Sequence, residues 1–142
     1  MKSRKLAGVW IDSSRAVIAT LNGNDQDLSI LTSDIEGVER IEGEGRPEGR
    51  FGGQFIAHEK AKDARRDDSE ARFSLDVAEK VRDADQLLIF GPAHMKDKLA
   101  STVRSLPQPV PNIRAVETAD SMTDNQVAAY VREFFGRSGM AA

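Results

Sequence analysis

The sequence predicts a single α/β domain built on one mixed, five-stranded sheet flanked by helices, and three observations predict it. Two strand-like runs near the start, Leu6–Ile11 and Arg15–Leu21, are separated only by Asp12-Ser13-Ser14, so they must pair as an antiparallel ribbon. The second half alternates short apolar strands with helix-period segments, the pattern of parallel strands joined by crossovers. The length of 142 residues fits one domain and is enough to bury one sizeable core.

Leu6–Ile11 (Leu-Ala-Gly-Val-Trp-Ile) is nearly continuous in apolar residues, as expected of a strand covered on both faces. Arg15–Leu21 is rich in strand formers, and Asn22-Gly23-Asn24 closes it with hairpin chemistry. Leu28–Ile35 alternates less cleanly and reads as a third strand. From Gly37 to about Asp67 the pattern fails, because Gly43, Gly45, Pro47, Gly49, Gly52 and Gly53 interrupt any long element. A loop of this length in a small domain marks function or disorder. A helix is expected to begin near Phe55. Ala71, Leu75, Ala78 and Val81, with Val77 beside them, carry helical spacing through Arg82.

The remaining elements are sharper. Gln86–Phe90 is a buried strand ended by Gly91-Pro92. Met95, Leu99, Val103 and Leu106 mark one face of a helix, which Pro107, Pro109 and Pro111 stop. Asn112–Glu117 is a strand. Thr123 and Gln126 form a capping box ahead of a last helix bearing Val127, Tyr130, Val131, Phe134 and Phe135, with Gly136 expected to end it. The order β-β-β-α-β-α-β-α implies a ribonuclease H-like layout over residues 1–136, with a loop over 37–67 and a tail over 137–142. Trp10, Phe90, Phe134 and Phe135 are expected in the core.

Composition narrows the function classes. The net charge of -3 argues against a broadly basic nucleic-acid binder and gives no reason to expect DNA as a partner, while leaving room for a local RNA contact. The chain has no cysteine, which removes disulfides and thiolate metal sites, and its two histidines, His58 and His94, are too few for an evident zinc site. No metal or cofactor is expected. Met1–Lys5 is basic, but Asp12 interrupts the apolar run that follows, so neither a signal peptide nor a membrane span is expected. The expected location is the cytoplasm.

The long loop holds Gly49-Arg50-Phe51-Gly52-Gly53-Gln54. Paired glycines let a backbone approach a ligand closely. A glutamine after them adds a polar donor. With glycine near ~7% of residues, the tripeptide arises by accident in roughly a few per cent of chains this long, so its surroundings decide its meaning. Residues 46–72 carry Arg46, Arg50, Lys60, Lys62, Arg65, Arg66 and Arg72 against six acids. Arginine favours phosphate contact, whereas a mixed-charge segment is also an ordinary solvated face.

Gly52-Gly53-Gln54 is the tripeptide of translation release factors, and the surrounding order resembles the middle domain of the eukaryotic and archaeal class 1 peptide-chain release factor family. The resemblance runs through Val9-Trp10-Ile11-Asp12, then Ala16-Val17-Ile18-Ala19-Thr20-Leu21-Asn22-Gly23-Asn24, the glycine loop and the arginine-containing helix from Ala64-Arg65-Arg66 to Val81. It continues through Leu87-Leu88-Ile89-Phe90-Gly91 and the lysine-containing helix at Met95–Leu99. The chain is also similar to small bacterial stand-alone relatives of that domain, through Trp10-Ile11-Asp12, Gly91-Pro92 and Thr118-Ala119-Asp120-Ser121-Met122-Thr123-Asp124. Two departures stand out: Phe51 intervenes between Arg50 and Gly52, and 142 residues leave no room for a codon-reading domain or a GTPase-binding domain.

The resemblance implies a translation-associated accessory protein with the ribosome or tRNA as partner. Gly52, Gly53 and Gln54 would act at a peptidyl-tRNA ester, and Arg50, Arg65 and Arg66 would contact RNA. The alternative is a non-catalytic protein or RNA interaction module, with a homodimer as one form it could take. Two further sites are readable from the residues. Asp12, Asp34, Glu36 and Asp120 could form a metal nuclease centre, although Asp12 before two serines is more simply a turn residue and strand four offers Phe90-Gly91 where a partner carboxylate is needed. Gly91-Pro92-Ala93-His94 could hold an anion with Lys96 or Lys98, or form only a tight turn.

Overall fold

Alternation of side chains along the strands builds the molecule in three layers. The computed structural model describes residues 4–23, 25–33 and 52–137, the stretch 52–65 by its backbone alone. The elements follow the expected order: β1 (Lys5–Ile11), β2 (Arg15–Asn22), β3 (Asp25–Thr32), α1 (Gly52–Val81), β4 (Gln86–Gly91), α2 (Met95–Ser105), β5 (Asn112–Thr118) and α3 (Asp124–Arg137). They form one five-stranded sheet in the order β3-β2-β1-β4-β5. β1 pairs antiparallel with β2, and β2 with β3, whereas β4 lies parallel to β1, and β5 to β4. This is the mixed sheet flanked by helices that the sequence predicts.

Successive strand residues face opposite sides of a sheet. Ala7, Val9, Ile11, Ala16, Ile18, Leu87 and Ile89 therefore point to one face, where they meet Phe73, Val77 and Val81 of α1 and Met95, Leu99 and Val103 of α2. Leu6, Trp10, Val17, Leu21, Leu88 and Phe90 point to the other and meet Val127, Val131 and Phe135 of α3. Trp10, Phe90 and Phe135 are fully buried, and Phe134 is partly buried against them. Burial of both faces explains why β1 and β4 read as continuous apolar runs.

The strand junctions follow from side-chain chemistry. Asp12 Oδ1 accepts from Ser14 N (2.8 Å), Ser14 Oγ (2.9 Å) and Arg15 N (2.9 Å), which shapes the β1–β2 turn. Asn22 pairs with Asp25, so the next hairpin has a two-residue loop, and Gly23 takes the left-handed φ of 66° that this turn demands. β3 consequently starts three residues before the expected Leu28 and ends at Thr32, while Ile35 lies outside the described residues. Being an end strand, β3 tolerates Asp25, Gln26 and Asp27 in positions an inner strand would reject.

The helices differ from expectation in three places. α1 starts at Gly52 rather than near Phe55, so residues 52–67 of the expected loop are helical, and residues 37–51 lie outside the described residues. Its buried face is Ser69, Glu70, Phe73, Ser74, Val77, Ala78 and Val81, whereas Leu75 is exposed. The apolar pair Ala71 and Leu75 predicts a stripe one position off. The larger Phe73 ring takes the core instead. α3 runs through Gly136 to Arg137. Its capping box forms as expected, with Thr123 N donating to Gln126 Oε1 (2.9 Å) and Gln126 N to Thr123 Oγ1 (3.2 Å). α2 ends where Leu106, forced out of helical geometry by the following proline, takes ψ 152°. Among the described residues, no helix is long and apolar enough to cross a membrane.

Gly8 sets the seat of α3. A Cβ there would lie 2.3 Å from Val131 Cγ2, and Val131 is a β-branched side chain with no rotamer to spare. Gly8→Ala is expected to cost about 2 kcal/mol through overpacking. Combining it with Val131→Ala is expected to recover at least about 1 kcal/mol relative to the sum of the single changes. Urea denaturation of the four chains measures that coupling, and strict additivity would refute the contact.

Candidate functional site

Gly52, Gly53 and Gln54 occupy the first turn of α1, a helix of 30 residues. The first four N–H groups of an α-helix have no partner within it, so the amides of Gly52, Gly53 and Gln54 have no acceptor inside α1. Ser69 is the first buried residue in the part of α1 with described side chains, 66–81. The tripeptide therefore stands about 25 Å further along the helix axis. Arg50 lies outside the described residues, and Arg65 is placed by backbone only, on α1.

Arg66 is engaged elsewhere. Its Nε lies 3.6 Å from Glu70 Oε2, one helical turn on. Glu70 is the residue that sequence reasoning missed. Its side chain is only 5% exposed, and its Oε2 hydrogen-bonds His94 Nε2 at 2.9 Å while its Oε1 lies 3.5 Å from Lys98 Nζ. His94, which the sequence places in a possible anion-binding turn, is 58% exposed and tied to a buried carboxylate. The available signal was a charged residue on the stripe of Phe73, Ser74 and Val77, where only a paired charge can sit.

This pairing also answers the anion reading at Gly91-Pro92-Ala93-His94. Lys96 Nζ donates to Ala93 O (2.5 Å), and Lys98 and His94 turn to Glu70. The anion among these groups is the protein's own carboxylate. Gly91 has a packing reason as well: a Cβ on it would stand 2.1 Å from the Ile11 carbonyl oxygen.

The nuclease reading loses its anchor. Asp12 Oδ1 is committed to three bonds within the β1–β2 turn, and among the described residues no three acidic or histidine side chains gather as a metal site. Asp34 and Glu36 lie outside the described residues. Asp120 contributes its backbone instead, accepting the Trp10 indole N–H at 3.0 Å.

That last contact explains the segment 118–124. Arg15 lies over the Trp10 ring at 5.0 Å and donates to Met122 O (2.8 Å) and Asp124 Oδ1 (3.0 Å). The segment that looks characteristic in sequence is a strap that Trp10 and Arg15 hold between β5 and α3. No side chain of the strap enters a reactive arrangement with the tripeptide among the described residues.

Exposed apolar side chains also occur on β3. Leu28 is 40% exposed and Ile30 50%, both on the α3 side of the sheet, on the strand that ends its antiparallel half among the described residues. Gln26 ties this strand to α3 by donating to Ala128 O (3.0 Å) and accepting from Arg132 Nη1 (2.6 Å).

No protein-family profile matches the chain, and no curated protein matches it. Among solved structures, the Pelota protein of Thermoplasma acidophilum aligns over 99% of this chain and 35% of its own, at 14% identity and a TM-score of 0.45. An archaeal translation termination factor aligns over 96% of this chain and 40% of its own, at 10% identity and a TM-score of 0.36. The chain spans roughly two-fifths or less of the length of these proteins. At such identities and scores the likeness carries nothing about activity, and the functional reading has to come from the residues themselves.

Proposed function

We propose that the protein is a translation-associated accessory factor whose Gly52-Gly53-Gln54 end approaches a peptidyl-tRNA ester on the ribosome. One observation carries the reading: the tripeptide opens a long helix, so its amides lack acceptors within that helix. Hydrolysis of the ester needs a water to attack the carbonyl carbon and a donor for the oxyanion that forms. An amide at a helix N-terminus is such a donor, and the helix dipole favours the developing negative charge. Gly52 and Gly53 have no side chains to hold the ester away. The groups that place the attacking water belong to the ribosome and tRNA, which is how a chain without a catalytic triad takes part. Arg50 and Arg65 would contact phosphate. Arg66 would do so only by sharing its guanidinium with Glu70.

Release of labelled peptide from stalled ribosomes tests the proposal. Gly53→Ala is expected to slow release about a hundredfold, the penalty typical of a misplacement near 1 Å, with an unchanged circular dichroism spectrum. Equal release by both chains, or none by either, would falsify the catalytic reading.

The exposed Leu28 and Ile30 on β3, the end strand of the sheet among the described residues, favour a second reading, a non-catalytic module that dimerises through that strand. Sucrose gradients at two salt concentrations separate the two. Co-migration with ribosomes that disappears at high salt supports translation, because phosphate contacts are salt-sensitive. Absence from ribosomes at low salt, with sedimentation as a dimer, supports the module.

A further inference from the structure

We infer that Glu70 is a positioning residue: with His94 and Lys98 it fixes the direction in which α1 carries its N-terminal turn. Glu70 sits in the first buried turn of the part of α1 with described side chains, next to Ser69. Its carboxylate is bound on three sides, by His94 Nε2 (2.9 Å), Lys98 Nζ (3.5 Å) and Arg66 Nε (3.6 Å). Two of those partners come from the neighbouring helix and its N-cap. His94 is the residue preceding α2 and Lys98 lies one turn into it.

A buried, paired carboxylate is not an efficient source of stability, since an apolar side chain of similar volume commonly serves as well or better. What it supplies is direction. The contacts of Phe73, Val77 and Val81 with the sheet are apolar and tolerate small rotations and slides of the helix. A hydrogen bond from an imidazole to one carboxylate oxygen does not. The leverage is large, because Gly52 lies about 27 Å along the axis from Glu70, and a tilt of about 10° there moves the first turn by about 5 Å. Phe73 and Val77 hold α1 on the body, and Glu70 sets its aim. The consequence for peptide release rests on the function proposed above, whereas the direction of α1 does not.

The chain has no cysteine, so two can be introduced without background. Spin labels at Ala57→Cys on α1 and Ser101→Cys on α2 report the helix direction in the whole 142-residue chain by pulsed dipolar spectroscopy. The unaltered pair is expected to give one narrow distance distribution. Glu70→Leu is expected to broaden or shift it by several ångströms while leaving the melting temperature within a few degrees. His94→Ala, at a half-exposed site that does not threaten folding, is expected to do the same and decides the matter if Glu70→Leu fails to fold. An unchanged distribution in His94→Ala and in any folded Glu70 variant overturns the inference. So does a broad distribution already present in the unaltered pair. A shifted distance in a chain that releases no peptide in any form removes the release reading and leaves the positioning role of Glu70 standing.

Discussion

Replacing Gly91 by alanine is expected to cost at least about 3 kcal/mol, the upper part of the range for overpacking, and to lower the melting temperature by roughly 10 °C. The added Cβ would meet the Ile11 carbonyl oxygen at 2.1 Å and its carbon at 3.2 Å. Both are backbone atoms, so no rotamer change relieves the clash. Relief requires β1 and β4 to separate at the end of their parallel pairing, just beyond Trp10 and Phe90. Gly91 also pairs with Thr118 on β5, and its carbonyl accepts from Ala119 N (2.9 Å), so the movement spreads to the strap before α3. Gly136 provides the control. A Cβ there meets nothing within 4 Å, and Gly136→Ala in α3 is expected to be neutral or stabilising by up to about 1 kcal/mol. Thermal unfolding followed by circular dichroism compares the two, and a Gly91→Ala chain as stable as the parent contradicts the close approach.

Trp10→Ala is expected to cost about 4 kcal/mol, in line with removal of a large buried aromatic side chain. The indole is fully buried between the sheet and α3. It carries two further tasks: its N–H bonds Asp120 O, and its face supports Arg15, whose guanidinium holds Met122 and Asp124. Trp10→Phe keeps most of the apolar volume and loses the indole bond, so a cost of about 1–2 kcal/mol is expected. Guanidinium denaturation read by circular dichroism is the suitable measurement, because the only tryptophan is the one removed. Equal losses in the two variants would show that the strap, and not the ring volume, carries the energy.

The sheet was legible because strand burial writes itself directly into sequence. Leu6–Ile11 and Gln86–Phe90 are covered on both faces, and both are nearly pure apolar runs. The capping box at Thr123 and Gln126 and the turn at Asp12 were legible too, since each is closed by residues within three positions of one another. β3 was harder because an edge strand keeps one side in solvent and so retains polar residues that blur its start. The face of α1 was legible at Val77, Ala78 and Val81, which are buried, and misread at Ala71 and Leu75. Ala71 and Leu75 have the right spacing but lose to Phe73, whose size decides which stripe turns inward.

The candidate site divides the same way. Gly52-Gly53-Gln54 is visible as a string of letters, and its meaning was sought in the loop it was assigned to. Its place in the opening turn of a helix was not visible, because two glycines are poor helix formers and argue locally against that assignment. Glu70, His94 and Lys98 could not be joined from sequence at all. The carboxylate and imidazole are 24 positions apart and meet only when α1 and α2 pack side by side on one face of the sheet.

The sequence by itself determined the order of elements, the apolar faces of β1, β2 and β4, the hairpin and cap chemistry, and the presence of the glycine-glutamine tripeptide, all of which depend on neighbours within a few residues. Only the tertiary structure decided why Gly8 and Gly91 must lack side chains, why Trp10 and Arg15 grip the 118–124 strap, and how a buried Glu70 finds its cations. Those outcomes depend on distances between atoms far apart in the chain, which periodicity and propensity do not encode and which packing of the three layers alone sets.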